Sequence, residues 1–234
     1  MKSQSPEFKS GFRPIGDPEL VAENKWFDLK RQQIDFINPD TDEVKSSGPM
    51  NYVDAAPGVT IVGETHDGRT VLIPQERYAT NIVESRAGHS LARHYEFPAG
   101  GIDKPQIEID KNDIIAAAER EFGEEAALQA DEYIMLGALH RGFMSHPGMS
   151  THNNFTVLAR GLRPKESGTE LEDTEQIGNK EIFSWRDAKT MYRNPEGLWT
   201  PEGFKVISSM GTVASMALAL DWIEEHNEHR PKHF

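Results

Sequence analysis

Glu96-Phe97-Pro98-Ala99-Gly100-Gly101, followed after an acidic insert by Ala116-Ala117-Ala118-Glu119-Arg120-Glu121-Phe122-Gly123-Glu124-Glu125-Ala126-Ala127-Leu128, is the stretch that decides how the chain is read. On a helix, residues three and four apart share a face, so Glu121, Glu124 and Glu125 crowd onto one edge. Like charges at that spacing repel and weaken an isolated helix. Such a cluster is tolerable as a solvated face, or useful where a hard cation neutralises it. Mg²⁺ suits the second role, since it takes oxygen ligands from a few carboxylates plus substrate phosphates. For the bare R-E-x-x-E-E string the solvated face is the better reading, and the surroundings shift the balance. Tyr95-Glu96-Phe97 reads as the end of a strand, and Pro98-Ala99-Gly100-Gly101 as a tight turn leaving it. Asp110 or Asn112 caps a helix beginning near Asp113. Ile115, Ala118, Phe122 and Ala126 give that helix an apolar stripe beside the acidic one. A strand, a glycine loop and such a helix make a platform for a metal–phosphate complex.

The 234 residues are enough for one large domain with a full core. A net charge of −13 argues against binding a nucleic-acid backbone, which needs clustered Lys and Arg. The same charge does not steer an anionic substrate inward, so local cations and bound metal must do that. With no cysteines, disulfides and thiolate metal sites are excluded, which suits a reducing, cytoplasmic compartment. The first residues, M-K-S-Q-S-P-E-F-K-S-G-F-R-P, lack the apolar run of a signal peptide. Val206 to Ile223 is interrupted by Ser, Gly, Thr and Asp, and reads as a buried helix, so no membrane partner is expected.

Outward from the central stretch, residues 1–20 read as a frayed polar tail and residues 21–57 as a small N-terminal β-region. Within that region Trp26–Phe36 and Val44–Val53 form an antiparallel pair, the second arm weakened by Ser-Ser-Gly-Pro. Residues 58–234 read as the main domain. It opens with a buried hairpin, Val59–Val62 and Thr70–Ile73, turning at His66-Asp67-Gly68, and a long polar loop over residues 79–92 follows. Beyond the acidic helix come strands at Tyr133–Leu139, Phe155–Ala159 and Ile177–Trp185, with an acidic loop from Gly161 to Gln176. A short helix over Arg186–Tyr192 precedes a final helix opened by Thr200-Pro201 and running to about His226.

The central stretch resembles the Nudix hydrolase signature, whose second half is R-E-apolar-x-E-E-x-G-apolar. Arg120 to Leu128 matches it, with Ala127 at the family's glycine. Gly100-Gly101 resembles the opening glycine pair, set about five residues further from Arg120 than in the family. Asn112 stands where the family has a glutamate, and Glu108 or Asp113 would substitute after a shift. The order N-K-W-F-D-L-K-R, V-L-I-P-Q-E-R-Y, E-F-P-A-G, H-P-G-M-S, D-T-E-Q-I and A-L-A-L is similar to the ADP-ribose and ADP-sugar pyrophosphatase branch. That resemblance implies an α/β fold with a mixed sheet, the Nudix α/β/α sandwich, with an N-terminal antiparallel region exchanged across a homodimer. It implies Mg²⁺, with Mn²⁺ as the alternative ion, and a nucleoside diphosphate sugar as the small-molecule partner. Glu121 and Glu125 match the principal metal ligands, Glu124 an accessory ligand, and the carbonyl of Ala99 a backbone ligand. Arg120 matches an orienting residue and Glu175 a loop glutamate that acts as base. Trp26, Arg77, Glu96 and Gly148 fall at substrate-binding positions, Trp26 as an aromatic that stacks on adenine.

The residues themselves leave rival readings open. Glu175 lies in an acidic run with Glu172 as the nearest alternative base, and such runs are usually solvated. Trp26 serves equally well as an anchor for the N-terminal strands. Two functions of different class remain: a Mg²⁺-dependent hydrolase of ADP-ribose, another nucleoside diphosphate sugar or a dinucleotide, and a non-catalytic sensor of a nucleotide sugar.

Overall fold

The structure, a computed structural model, describes residues 10–25, 27–76, 93–137, 142–144, 149–171, 177–194, 197–201, 203–207 and 209–226. The chain divides into two compact units, Met1–Ala56 with His146–His152, and Pro57–Ser145 with Asn153–Phe234. In the first, β1 (Phe12–Glu23), β2 (Phe27–Ile37) and β3 (Val44–Ala55) form an antiparallel sheet in that order. β3 runs through Ser46-Ser47-Gly48-Pro49 without a break. It is an edge strand, where a proline without an N–H is tolerated. β1 begins inside the stretch expected as a frayed tail and pairs with β2 from Phe12 onward. All of its residues are exposed, so no alternation of buried and solvated positions marked it in the sequence.

The second unit runs β4 (Gly58–Glu64), β5 (Thr70–Pro74), β6 (Arg93–Glu96), β7 (Ala99–Gly101), α1 (Lys111–Ala126), β8 (Leu128–Gln129), β9 (Glu132–Leu136), β10 (Phe143–Met144), β11 (Asn153–Arg160), β12 (Arg163–Pro164), β13 (Glu181–Phe183), α2 (Trp185–Arg193), β14 (Leu198–Thr200), β15 (Gly203–Val206) and α3 (Met210–His226). Its mixed sheet has the order β10-β11-β4-β5-β6-β15-β14, with β7 on β4, β9 on β11 and β13 on β5. β4 is buried throughout, as its Val-Thr-Ile-Val run requires of a strand covered on both faces. It pairs in parallel with β11 and antiparallel with β5 and β7.

Alternation along these strands feeds two cores. Val59 and Ile61 of β4, Val71 of β5 and Val157 of β11 pack with Ile114, Ala118 and Phe122 of α1. Val62, Leu72 and Leu158 face the other way, with Trp185 and Met191 of α2 and Met216 and Ile223 of α3. The result is the expected α/β/α sandwich with an antiparallel β-region ahead of it. Each fully buried Ile, Leu or Phe side chain contributes about 1.5–3 kcal/mol, so these cores hold the layers together. Gly63 lets the Phe122 ring lie against β4: a Cβ there would come within 3.0 Å of it. Within the cores Asn154 Nδ2 donates to Thr60 Oγ1 at 2.6 Å and Thr156 Oγ1 is bonded to Ser215 Oγ at 2.9 Å. Glu181 joins the Lys205 ammonium to the Tyr95 hydroxyl, and Lys205 lies over the Tyr95 and Phe183 rings.

Several boundaries differ from the sequence reading. Pro98–Gly101 is not a tight turn, because Ala99–Gly101 finds an edge of β4 to pair with. The loop after Gly161 contains β12, which pairs with β8. The strand expected over Ile177–Trp185 is confined to Glu181–Phe183, and Trp185 opens α2 under a Ser184 cap. Thr200-Pro201 does not start the last helix. It closes a β14–β15 hairpin, since Lys205 and Val206 gain a parallel partner in β6, and α3 starts at Met210. Among the described residues no helix is long and apolar enough to cross a membrane.

α1 ends at Ala127, held in the left-handed region (φ 49°, ψ 45°) with its N–H donating to the Phe122 carbonyl. That conformation costs a residue with a Cβ about 1–2 kcal/mol. Glycine's greater unfolded-state entropy offsets part of the relief, so Ala127→Gly should stabilise the fold by about 0.5–1 kcal/mol. The measure is the urea midpoint at unchanged slope; a lower midpoint would show that the backbone there is unstrained.

Candidate functional site

The site is built where α1 meets β7. The helix starts cleanly because the Asp110 carboxylate accepts from Asn112 N at 2.7 Å and Asp113 N at 3.0 Å, while Asp113 accepts from Asp110 N at 3.0 Å. This reciprocal cap leaves Asp110 outside and Lys111 as the first helical residue. The Asp110 N–H, and after it the Lys104 ammonium, hold the Asp113 carboxyl below the usual carboxylate range. The cap is therefore complete above the ordinary carboxylate pKa and is lost as acid protonates Asp113.

One edge of α1 then carries Glu121 and Glu125, both buried, with Glu124 half-buried beside them. Three consecutive residues of β7 answer them. The Ala99 N–H donates to Glu125 Oε2 at 2.8 Å. Gly100 lies under the Glu121 carboxylate so closely that a Cβ there would sit 1.9 Å from its carbon and from Oε1. The Gly101 carbonyl accepts from Arg120 Nη2 at 2.9 Å. Arg120 also reaches Glu121 Oε1 at 2.7 Å and Glu124 Oε2 at 2.9 Å. Partial burial works against the charge on Arg120, and the Glu121 and Glu124 carboxylates outweigh it, so its pKa is raised.

The register of β7 aims its backbone. Ile61 N–H donates to the Pro98 carbonyl at 2.8 Å and Ile102 N–H to the Pro57 carbonyl at 2.9 Å. Ala99 pairs with Thr60 between those positions, at a site of the antiparallel ladder whose own N–H and carbonyl turn away from β4. The connection before it is pinned from the other layer, where the Phe97 N–H donates to Thr212 Oγ1 at 3.3 Å. Glu96 is buried at the end of β6, opposite Ile73.

The structure thus brings together Arg120, Glu121, Glu124, Glu125 and Ala99, and places Glu96 three residues before the first residue of the strand that faces them. Trp26, Arg77, Gly148 and Glu175 lie outside the described residues. Among the described residues no three His, Cys, Asp or Glu side chains converge as a metal cluster. The acidic edge is held by the guanidinium and the Ala99 N–H. Sequence reasoning missed which glycine matters and the role of Thr212. The doubled glycine before an acidic helix was the available signal for the first, and there was none for the second.

No family model matches the sequence, and no curated protein matches it. Solved structures do match the fold. One, the crystal structure of an ADP compounds hydrolase, aligns over 94% of this chain and 98% of its own, with a TM-score of 0.64 and 17% sequence identity. At that identity the likeness shows a shared architecture, the α/β/α sandwich, and no more.

The two glycines of β7 should behave differently. Gly100→Ala puts a methyl where the Glu121 carboxylate lies, so that carboxylate must leave its place beside Arg120, and the variant should be destabilised by about 1 kcal/mol. Gly101→Ala meets nothing within 4 Å and should stay within about 0.5 kcal/mol of the parent. Equal denaturation midpoints for the two variants would show that Glu121 does not sit over Gly100.

Proposed function

We propose that the protein hydrolyses the diphosphate bond of a nucleoside diphosphate sugar with Mg²⁺ or Mn²⁺, and that ADP-ribose, giving AMP and ribose 5-phosphate, is the substrate. The observation that carries this reading is the pair of buried carboxylates, Glu121 and Glu125, set against the backbone of Ala99–Gly101. Burying like charges side by side is unfavourable unless cations answer them. Arg120 is one such cation, paired with Glu121 and Glu124. The seat over Gly100 and the all-oxygen donor set fit a hard divalent ion. The Nudix resemblance and the ADP compounds hydrolase that shares the fold support the same choice of chemistry.

In this account Glu121, Glu125, Glu124 and the Ala99 carbonyl hold the metal. When bound, the metal neutralises diphosphate oxygens and acidifies a water. Arg120 keeps Glu121 and Glu124 oriented through its bonds to both and to the Gly101 carbonyl. Glu175, with Glu172 as its rival, takes the proton of the attacking water. Trp26, Arg77, Glu96 and Gly148 bind substrate, Trp26 by stacking and Arg77 by phosphate contact. Little covalent chemistry is left to the protein, so positioning and charge stabilisation dominate.

The test is a panel of nucleoside diphosphate sugars and dinucleotides with Mg²⁺, read as AMP release. ADP-ribose should be cleaved, chelator should abolish turnover, and Glu121→Gln or Glu125→Gln should lower kcat by about 10²-fold or more, the scale on which lost charge stabilisation is felt. Glu175→Gln should fall comparably; a fall of only a few-fold there, with Glu172→Gln inactive, would move the base to Glu172. Tight ADP-ribose binding without cleavage of any panel member would identify a sensor instead.

We also propose that the protein is a homodimer through its N-terminal sheet. Phe12, Ile15, Leu20 and Val21 of β1 are exposed, an apolar strand that a second copy would cover. Light scattering should give twice the chain mass; a 26.3 kDa particle at micromolar concentration would contradict it.

A further inference from the structure

Ten of the eighteen described Lys and Arg residues of this acidic chain meet a carboxylate, and Lys45, Lys111 and Lys180 stand singly elsewhere. Arg13, Lys30, Arg31, Arg69, Lys104, Arg120, Arg160, Arg163, Lys165 and Lys205 each meet a carboxylate. Arg186, Lys189 and Arg193 meet none among the described residues, and they share one face of α2 with Thr190 and Asn194. Together these five line an open depression of about 340 Å³. The opposite face of α2, Trp185, Ala188 and Met191, is buried in the core that α3 completes, on the sheet face away from α1. The depression is therefore separate from the carboxylate edge.

Helix stability does not account for all three cations. Arg193, in the last turn, complements the helix dipole. Arg186 stands in the first turn, where a positive charge opposes the dipole. The acidic residue that the first turn does want is Asp187, already bonded to the Ser184 cap. Thr190 Oγ1 donates to the Arg186 carbonyl at 3.0 Å, and Asn194 Nδ2 to the Gly197 carbonyl at 3.0 Å, so the polar walls between the cations are held in place. Along the axis, Arg186 and Arg193 are about 10 Å apart at 1.5 Å per residue, with Lys189 between them.

We infer that this groove is a binding site for a small anion carrying two or more phosphoryl groups, outside the hydrolytic site. Guanidinium forks at its two ends match phosphate oxygens in pairs, and the lysine adds a point charge at the middle. A row of cations along the helix suits an extended polyphosphate better than one compact anion. In a chain of net charge −13 the long-range field opposes any anion, so capture depends on these local contacts and falls with salt.

Calorimetric titration of the whole protein with inorganic tripolyphosphate, at low salt with chelator present, tests this without engaging the carboxylate edge. Wild type should bind. The Arg186→Gln/Lys189→Gln/Arg193→Gln variant should bind at least about ten-fold more weakly, the single Lys189→Gln variant a few-fold more weakly, and Glu121→Gln as wild type does. Orthophosphate should bind about ten-fold more weakly than tripolyphosphate. Absence of wild-type binding, binding that survives in both groove variants, loss of binding in Glu121→Gln, or equal affinity for orthophosphate would each overturn the assignment. Chelator keeps this result independent of hydrolysis, so either reading can fail alone.

Discussion

The contact on which the rest of the molecule depends is the Glu121 carboxylate resting on the backbone of Gly100. A Cβ at residue 100 would lie 1.9 Å from that carboxylate, so glycine leaves it room where it stands. That contact depends on how α1 sits against β7. Its cap at Asp110 sets where the helix starts, and the Phe122 ring, admitted by Gly63, sets its depth on the sheet. β7 is fixed in turn by the β4 ladder on one side and by the Thr212 hydroxyl at Phe97 on the other. Both layers of the sandwich thus converge on a three-residue strand.

That arrangement answers a conflict within the sequence itself. Three glutamates on a helix edge repel one another, and two of them are out of water. Arg120 bridges Glu121 and Glu124 and ties both to the Gly101 carbonyl, while the Ala99 N–H serves Glu125. These charge-assisted bonds are stronger than neutral ones. Two buried carboxylates and a half-buried third on one helix edge, set against the backbone of β7, are the feature behind the proposed divalent-ion chemistry.

Much of this was legible in the residues. The helix and its acidic edge, the buried hairpin of β4 and β5, and the pairing of β2 with β3 follow from periodicity, capping residues and turn residues, all of which act over a few positions. What escaped the reading depends on partners far along the chain. Ala99–Gly101 is a strand because β4 offers an edge, and residues 203–206 are a strand because β6 does. No local pattern distinguishes Gly100, which must lack a side chain, from Gly101, which need not. β1 was illegible for the opposite reason: with every residue exposed, it has no buried face to impose alternation. Of the candidate site, spacing put Glu121, Glu124 and Glu125 on one edge, while their roles and those of Arg120, Ala99 and Glu96 came through resemblance, and the placement of Ala99 and Glu96 rests on sheet register.

The most direct measurement is anomalous diffraction from crystals grown with Mn²⁺. This account predicts a peak bounded by the Glu121 and Glu125 carboxylates and the Ala99 carbonyl, with Arg120 still bonded to Gly101. Manganese bound only elsewhere, such as along the acidic run between Glu166 and Glu175, with none at the edge of α1 at millimolar metal, would contradict it.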